Sequence, residues 1–420
     1  MKRLVVYLNS EAVGTLEEDD NDIAEFRYRP DWIRNPAARP LSRMLPLQDE
    51  AFRGKHARAF FAGILPEEGP RRQIAAILGI SDANDFAMLE RIGGECAGAV
   101  CLLPEGVAPP AIGETRLRQL SEKELQDVVA ELPRRPLMAG EEGIRLSLAG
   151  AQDKLPVVVR ESGIALPLGN TPSTHILKPE PDRLPGLAAN ELFCMTLART
   201  IGLRVPAVHS RRVGDKACIL VERYDRLIGA DSVVTRVHQE DFCQALGFPP
   251  ERKYQAEGGP LLRDCIGLLR EWSTTPVLDI RDFLDGLIFN MLIGNADAHG
   301  KNFSILYRGD ERRLAPFYDL VCTLAWPELS KTPAMKIGGA ESINEITPTH
   351  WRKMAQETRL GWPMMRERMA SLSRIAVNAL QDPRVRNVAE DAAMAERLIK
   401  TISERGAALL RSLETNKGQP

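Results

Sequence analysis

The sequence lacks most of the features that announce a function from composition alone. Charge of one sign is missing: 55 Lys and Arg against 57 Asp and Glu leave a formal net charge of −2. That balance excludes a bulk electrostatic pull on nucleic acid, although not a local basic patch. No run approaches the roughly 18 apolar residues that a membrane-spanning helix requires, so no membrane partner is expected. The seven cysteines are odd in number and scattered. Without a C-x-x-C pair they make neither a disulfide framework nor a zinc site of the usual spacing, and read as small buried hydrophobes. Neither an internal repeat nor a low-complexity tract is present. The opening stretch, MKRLVVYLNSEAVG, alternates Leu4, Val6 and Leu8 and has no small-residue cleavage site. It therefore reads as a first strand and not as a signal peptide, and the expected location is cytoplasmic.

What is present is ordinary in amount, 44% hydrophobic and 27% charged, in a chain of 420 residues. That is enough for two or three domains with proper cores. Residues 1–104 alternate short strands with turn signals before helical pattern appears around Phe60, Phe61, Ile64 and Leu65, and again at Ile74, Ile77 and Leu78. Gly94–Leu103 reads as a glycine-containing strand region, and Pro104–Pro110 as a linker. Residues 117–133 read as a short helix, with Ser121 as N-cap and Glu124 completing a capping box. From Ile144 the pattern turns to strand pairs. Leu146 and Leu148 alternate up to a break at Gly150-Ala151-Gln152-Asp153, and Leu155–Val159 resumes the strand. Glu161-Ser162-Gly163 is a tight turn, and Thr174–Lys178 and Ala217–Val221 are further strands. A helix near Asn190 presents Phe193, Leu197 and Ile201 and stops at Gly202. Beyond about residue 239 the chain is mostly helical. Its clearest helix is 280–293, apolar over so wide a face that it must lie deep in a domain. An amphipathic helix from Asn387 runs into a polar tail, Thr415–Pro420. The fold class expected is α+β, divided as 1–104, 105–238 and 239–420.

The most informative stretch follows that buried helix: Gly294-Asn295-Ala296-Asp297-Ala298-His299-Gly300-Lys301-Asn302-Phe303. A strand Phe303–Tyr307, a turn and a second strand then lead to Pro316-Phe317-Tyr318-Asp319. Phosphoryl transfer from ATP needs a carboxylate to take the proton of the attacking hydroxyl, and hard oxygen ligands for Mg²⁺. Asp297 and Asn302 have the D-x-x-x-x-N spacing of a protein-kinase catalytic loop, and Asp319 falls where kinases keep a metal-binding aspartate. Asp297 is thus expected as base, Asn302 and Asp319 as Mg²⁺ ligands, and Lys301 as a charge stabiliser. Alone, D-x-x-x-x-N more often marks a loop capping its own backbone. The buried helix before it, the hairpin after it and the second aspartate reverse that reading. His299 reads as loop architecture, since one histidine beside two carboxylates is not a zinc set.

Upstream, Lys178 ends its strand before a helix carrying Glu191, the order of a phosphate-gripping lysine and its helix partner. A solvated strand-end lysine is the equal alternative. Arg145–Lys154 (RLSLAGAQDK) reads as strand–turn–strand with Gly150 at the bend, where backbone N–H groups can cradle phosphates. It fits neither Walker A nor G-x-G-x-x-G, and most such glycines serve a turn only. Glu222-Arg223-Tyr224 follows a strand where a kinase hinge would meet adenine; a plain strand end with surface charges is the equal alternative.

Taken in order, these segments resemble the HipA family of kinase toxins from bacterial HipBA toxin–antitoxin systems, over nearly the whole chain. The strings that carry the resemblance are FFAGILPE (60–67), Gly93–Val100, LSLAGAQDK (146–154), THILKP (174–179), VERYDR (221–226), QEDFCQALG (239–247), KYQAEGGP (253–260), GNADAHGKNFS (294–304) and PFYDL (316–320). The resemblance implies a kinase-like two-lobed fold: a β-rich lobe with an extra N-terminal subdomain, then an all-α lobe. It implies ATP and Mg²⁺, with Asp297 catalytic, Asn302 and Asp319 on metal, and Lys178 on the nucleotide. Ala149, Gly150, Ala151, Gln152, Asp153, Lys154, Glu222, Arg223 and Tyr224 would also touch nucleotide, with His299, Lys301 and Asn302 counted beside them. Ser147 matches the serine that family members phosphorylate on themselves; a dianion there would disrupt a phosphate-holding segment. The implied partners are a HipB-like helix-turn-helix antitoxin, operator DNA mainly through that antitoxin, and an aminoacyl-tRNA synthetase as substrate, typically the glutamyl enzyme. Arg352-Lys353 is the candidate for direct DNA contact.

Two other classes compete with an active kinase. One is an ATP-binding pseudokinase that serves as corepressor with a DNA-binding antitoxin. The other is a metal-dependent hydrolase built on Asp297, His299 and Asp319, which lacks a further ligand and leaves Lys178 unexplained.

Overall fold

The alternation at the start of the chain becomes a strand, β1 (Lys2–Leu8), with Leu4 and Val6 wholly buried. This is a computed structural model, and it describes residues 2–18, 24–109, 113–230 and 233–415. By its contacts the chain divides into two units. Unit 1 takes Met1–Pro179, Arg212–Glu251 and Ile305–Glu311; unit 2 takes Glu180–Arg211, Arg252–Ser304 and Arg312–Pro420.

Unit 1 holds two main sheets. The first is antiparallel, with order β4-β3-β2-β1-β5, where β2 is Glu11–Glu18, β3 Ala24–Tyr28, β4 Phe52–Arg53 and β5 Val100–Pro104. Its inner face carries Phe26, whose ring stands 4.8 Å from Tyr28 and 5.3 Å from Phe61 of the helix Lys55–Gly63. The second sheet has order β10-β11-β9-β7-β8-β6. Its strands are β6 (Leu117–Gln119), β7 (Leu155–Arg160), β8 (Gly163–Pro167), β9 (His175–Pro179), β10 (Val208–Val213) and β11 (Lys216–Glu222). The turn at Glu161-Ser162 pairs Arg160 with Gly163, as its residues predict. Leu155, Val157, Leu166 and Leu177 of this sheet share one hydrophobic core with Leu4, Phe26 and Leu102 of the first. A short pair, β12 (Arg226–Ile228) and β13 (Val234–Arg236), follows. A three-stranded sheet then takes the order β14 (His238–Asp241), β15 (Ser304–Arg308), β16 (Glu311–Leu314).

Three local expectations change. Residues 117–133 are not one helix: Leu117–Gln119 pairs with β8 as a strand, and the helix occupies Glu122–Glu131. The capping box is as read, with Ser121 Oγ accepting from the Glu124 N–H and Glu124 Oε2 from the Ser121 N–H, at 3.2 and 2.8 Å. It fixes the helix start and thereby frees the residues before it for the sheet edge. Gly94–Leu103 is strand only from Val100; Glu95 makes a single bridge with Leu146 instead. For the same reason Arg145–Lys154 is not a strand–turn–strand, because its first limb is spent on that one bridge and only β7 continues as a ladder. The linker Pro104–Pro110 ends outside the described residues, as does the tail beyond Thr415.

Unit 2 is helical. Its helices include Leu187–Thr200, Leu262–Trp272, Pro276–Ile293, Pro348–Thr358, Trp362–Ala379 and Ala392–Thr415. Chain order puts the first of these with the nucleotide-binding part, yet it belongs by its contacts to this unit. The last helix buries Met394, Leu398, Ile402, Leu409 and Leu413 on one stripe. It starts at Ala392 and not at Asn387 because Asp391 Oδ1 accepts the Met394 N–H at 2.9 Å and caps it there.

Candidate active site

The helix Pro276–Ile293 opens on a proline, whose missing N–H costs nothing in a first turn. Near its start the buried Asp279 carboxylate accepts hydrogen bonds from Ser273 Oγ (2.6 Å), the Leu314 N–H (3.0 Å) and the Arg313 guanidinium. Beyond Asp279 it buries two further polar side chains: Asp285, which accepts from the Arg368 guanidinium at 2.8 Å, and Asn290, which donates to the Gly286 carbonyl at 2.9 Å and accepts from Asn295 Nδ2 at 2.7 Å. Asn295 Oδ1 in turn accepts the Asp297 N–H at 3.0 Å. A chain of amides thus runs from the buried helix to the backbone of Asp297. Thr323 braces the other side, donating to the Gly294 carbonyl at 3.1 Å while its Oγ1 accepts the Ala296 N–H at 2.9 Å. The result is a loop buried at Asn295, Ala296, His299 and Lys301, with the Asp297 side chain exposed.

Past that point Asn302 Oδ1 accepts the His299 N–H at 3.1 Å, closing the loop on itself. Tyr318 ties the following hairpin to the loop, its hydroxyl bonding the Lys301 carbonyl and Ser304 Oγ, each at 2.7 Å. The Phe317 ring packs on the helix at Gly286, where a Cβ would lie 2.5 Å from ring carbons. Close approach explains a glycine in mid-helix. Asp319 then takes φ +53°, in the left-handed region that aspartate tolerates better than most residues but seldom adopts. Backbone of this kind gathers at functional sites, where its surroundings hold it. Asp297, His299, Lys301, Asn302 and Asp319 are all brought to this one region of unit 2.

The other predicted residues lie in unit 1. Lys178 is buried on β9, paired in register with Ile219 of β11. Ala149, Gly150, Ala151, Gln152, Asp153 and Lys154 form a half-buried irregular loop, in which Gly150 has φ +107° and Lys154 Nζ donates to the Ala149 carbonyl at 2.5 Å. Ser147 is fully buried and donates to the Ile64 carbonyl at 2.9 Å. Glu222 is exposed at the end of β11, while the Tyr224 hydroxyl donates to Gln239 Oε1. Arg223 turns inward, its N–H donating to the Thr174 carbonyl at 2.9 Å.

The Arg223 side chain joins a buried ion cluster. Glu95 Oε1 accepts from Arg223 (3.1 Å) and Arg226 (2.8 Å), Oε2 accepts from Arg236 (2.6 Å), and Asp225 takes Arg223 again at 2.7 Å. Burial pushes the Glu95 carboxyl up, but Arg226, Arg236 and Arg223 outweigh it and hold it down at about 2. Asp225 is held below the usual carboxylate range by Arg223 and Arg226, again against burial. The Gly93–Val100 string contains Glu95, but no local pattern gives it a role, since its arginine partners lie far along the chain.

Comparison with known proteins gives the family. The family model described as HipA N-terminal domain matches residues 4–103, and that described as HipA-like C-terminal domain matches residues 146–382. The serine/threonine-protein kinase toxin HipA of Shewanella oneidensis is 32% identical over 355 residues, 82% of this chain and 80% of its own. This chain belongs to the HipA family of serine/threonine-protein kinases. A second relative, the Y4mE protein of Sinorhizobium fredii, is 46% identical over 372 residues, 88% of this chain and 89% of its own. The solved complex of Shewanella oneidensis HipA with HipB and operator DNA superimposes with a TM-score of 0.87 at 27% identity, covering 99% of this chain and 100% of that one. The expected mixed fold, with sheets first and helices after, is that of HipA.

Several residues that brace the Asp297 region have no role assigned by local sequence pattern. Asn290 is legible as a polar residue in the apolar second half of its helix, Leu287–Ile293. Asn295, Thr323 and Tyr318 carried no spacing signal. Tyr254, whose hydroxyl donates to Asp297 Oδ1 at 2.9 Å, lies 43 positions upstream of it. The hydrolase reading loses its basis: among the described residues no group of three or more His, Cys, Asp or Glu is placed to hold a metal. Arg352, the DNA candidate, lies over the Trp362 ring at 5.4 Å, and Lys353 faces Glu357. No helix among the described residues is long and apolar enough to cross a membrane.

Proposed function

We propose that this chain transfers the γ-phosphate of ATP to a serine of another protein, with Asp297 as the base. One observation carries the reading: the exposed Asp297 carboxylate stands on a loop whose neighbours are buried and whose backbone is held by Asn295, Thr323 and Asn302. A serine Oγ forms a bond to the γ-phosphorus as the bond from that phosphorus to the β–γ bridging oxygen breaks. The Oγ proton passes to Asp297, and ADP leaves. The buried Lys301 ammonium is assigned to the charge on the transferring group.

Asn302 and Asp319 supply the hard oxygens that Mg²⁺ takes, and one or two protein carboxylates suffice where phosphates and waters complete its shell. The donor set therefore fits the ion, which when bound neutralises charge on the β- and γ-phosphates. Lys178, the backbone N–H groups of Ala149–Lys154, His299 and the Glu222–Tyr224 segment are assigned to ATP. With Arg223 turned inward, that segment would offer adenine its backbone and not the guanidinium.

The likeness to the Shewanella complex supports a toxin role, a HipB-like antitoxin and operator DNA; the proposal further has the DNA reached mainly through the antitoxin and the whole system in the cytoplasm. An aminoacyl-tRNA synthetase, the glutamyl enzyme for one, is the proposed substrate class. Ser147 is the proposed site of inactivating self-phosphorylation, and its burial requires the segment to leave its seat first.

The test is incubation of the purified protein with Mg²⁺ and γ-labelled ATP, alone and with a panel of synthetases, with sites mapped by mass spectrometry. Label on Ser147 and on one synthetase is expected, and its loss by about 10²- to 10⁴-fold in Asp297→Ala. Equal labelling by that variant would remove Asp297 as base. Tight ATP binding without any transfer would favour the corepressor reading.

A further inference from the structure

We infer that Tyr254 is a positioning residue for phosphoryl transfer, acting through Asp297; this rests on Asp297 being the base. The Tyr254 hydroxyl donates to Asp297 Oδ1 at 2.9 Å. Its ring stands edge-on to the His299 imidazole, with centroids 5.2 Å apart and planes at 84°. The carbonyl of the preceding Lys253 accepts the Gly300 N–H at 3.4 Å, and Lys253 Nζ lies 5.3 Å from the Tyr254 ring centroid. Residues 253–254 therefore meet the loop at Asp297, His299 and Gly300, all within unit 2.

What sets Tyr254 apart is where its bond ends. Asn295, Thr323 and Asn302 bond the loop's backbone, on the N–H groups of Asp297, Ala296 and His299. They fix where Asp297 starts but not how its carboxylate is turned. An exposed aspartate has two side-chain torsions to set. A bond from a half-buried phenol to Oδ1 constrains them, and with them the direction in which Oδ2 presents its lone pairs. Proton abstraction needs a base oxygen within hydrogen-bond reach of the hydroxyl, and a misplacement of about 1 Å costs about a hundredfold in rate.

The test uses the full-length enzyme and phosphate transfer from γ-labelled ATP in Mg²⁺. Tyr254→Phe keeps the ring on His299 and removes only the hydroxyl. A fall in kcat of about 10- to 100-fold is expected, with KM for ATP and the thermal midpoint unchanged. In an Asp297→Asn background the same substitution is expected to change the residual rate by no more than about twofold, because the two residues act as one unit. A Tyr254→Phe enzyme with wild-type kcat, beside an inactive Asp297→Asn, would overturn the role of Tyr254 and leave the base in place. So would an equal loss in both backgrounds, the mark of a structural role. An Asp297→Asn enzyme as fast as wild type would remove the base and the positioning role together.

Discussion

The Ser147 hydroxyl, with no exposed surface, donates to the carbonyl of Ile64 at 2.9 Å. The Ser147 N–H also donates to the Glu95 carbonyl at 2.8 Å, so both ends of the residue are tied down. Removing the hydroxyl leaves one buried carbonyl short of a donor, and adding a charge leaves an anion with no room to hydrate. Ser147→Ala is therefore expected to cost about 1 kcal/mol. Ser147→Asp is expected to cost at least about 3 kcal/mol or to expel the segment. Chemical denaturation measures the first, and faster proteolysis or amide exchange over 146–154 reports the second. A Ser147→Asp protein as stable and protected as wild type would show that this seat does not hold the segment.

Glu95 and Asp225 face three arginines in a buried cluster, so neutralising one acid leaves a further guanidinium uncompensated. Glu95→Gln is expected to destabilise unit 1 by about 3–5 kcal/mol. Because the folded Glu95 carboxyl sits at about 2 against an ordinary 4.5, its contribution is full above pH 4.5 and lost as pH falls toward 2. It amounts to on the order of 3 kcal/mol at neutral pH. Denaturant midpoints taken from pH 6 down to pH 3 should fall steeply in wild type and less so in Glu95→Gln; parallel curves would exclude Glu95 as the source.

Glu240 runs the opposite way. Burial pushes its carboxyl up to about 7, against hydrogen bonds from Ser42 Oγ, the Tyr307 hydroxyl and the Arg43 N–H. A raised folded value means stability that is full below about pH 4.5 and lost as pH rises through 7. Glu240→Gln, which resembles the protonated acid, is expected to flatten the decline in thermal midpoint between pH 5.5 and pH 8. An unchanged slope in that variant would mean that Glu240 does not titrate there.

Gly150 holds φ +107°, and a Cβ built on it would run into the Lys154 amine. Gly150→Ala must refold the loop, because an L residue seldom adopts that φ. Weakening of Mg–ATP binding by at least about tenfold is expected, with a small change in global stability, since the loop is only half-buried. Calorimetric titration with Mg–ATP decides it: an unaltered Kd would separate the loop from the nucleotide.

The proposed catalytic loop is legible because its pattern is local. Asp297, Asn302 and the hairpin leading to Asp319 fall within 23 positions, and the helix before them shows its burial in its own pattern. The Ser121–Glu124 capping box and the Glu161-Ser162 turn were legible for the same reason. What failed was local pattern overruled by a distant partner. Leu146 and Leu148 alternate like a strand, yet Leu146 pairs with Glu95 for one bridge only. Leu117–Gln119 looks helical beside its capping box, and β8 claims it. Tyr254, Thr323 and Glu95 bond residues 43, 27 and 128 positions away, and no periodicity or spacing rule reaches so far. The inward turn of Arg223 is not legible locally, because one of its two counter-charges, Glu95, lies in the N-terminal subdomain.

The chain leaves unit 1 after Pro179, returns at Arg212, leaves again after Glu251, and comes back once more for Ile305–Glu311. Tyr307, on that last visit, reaches Glu240. A ribosome must therefore release about three quarters of the polypeptide before the first unit can finish its own interior. Neither unit exists as a contiguous stretch that could be expressed alone, inherited alone or exchanged between relatives by a single crossover. Newly made molecules stay unfinished, and hence without a complete enzyme, until late in their own synthesis.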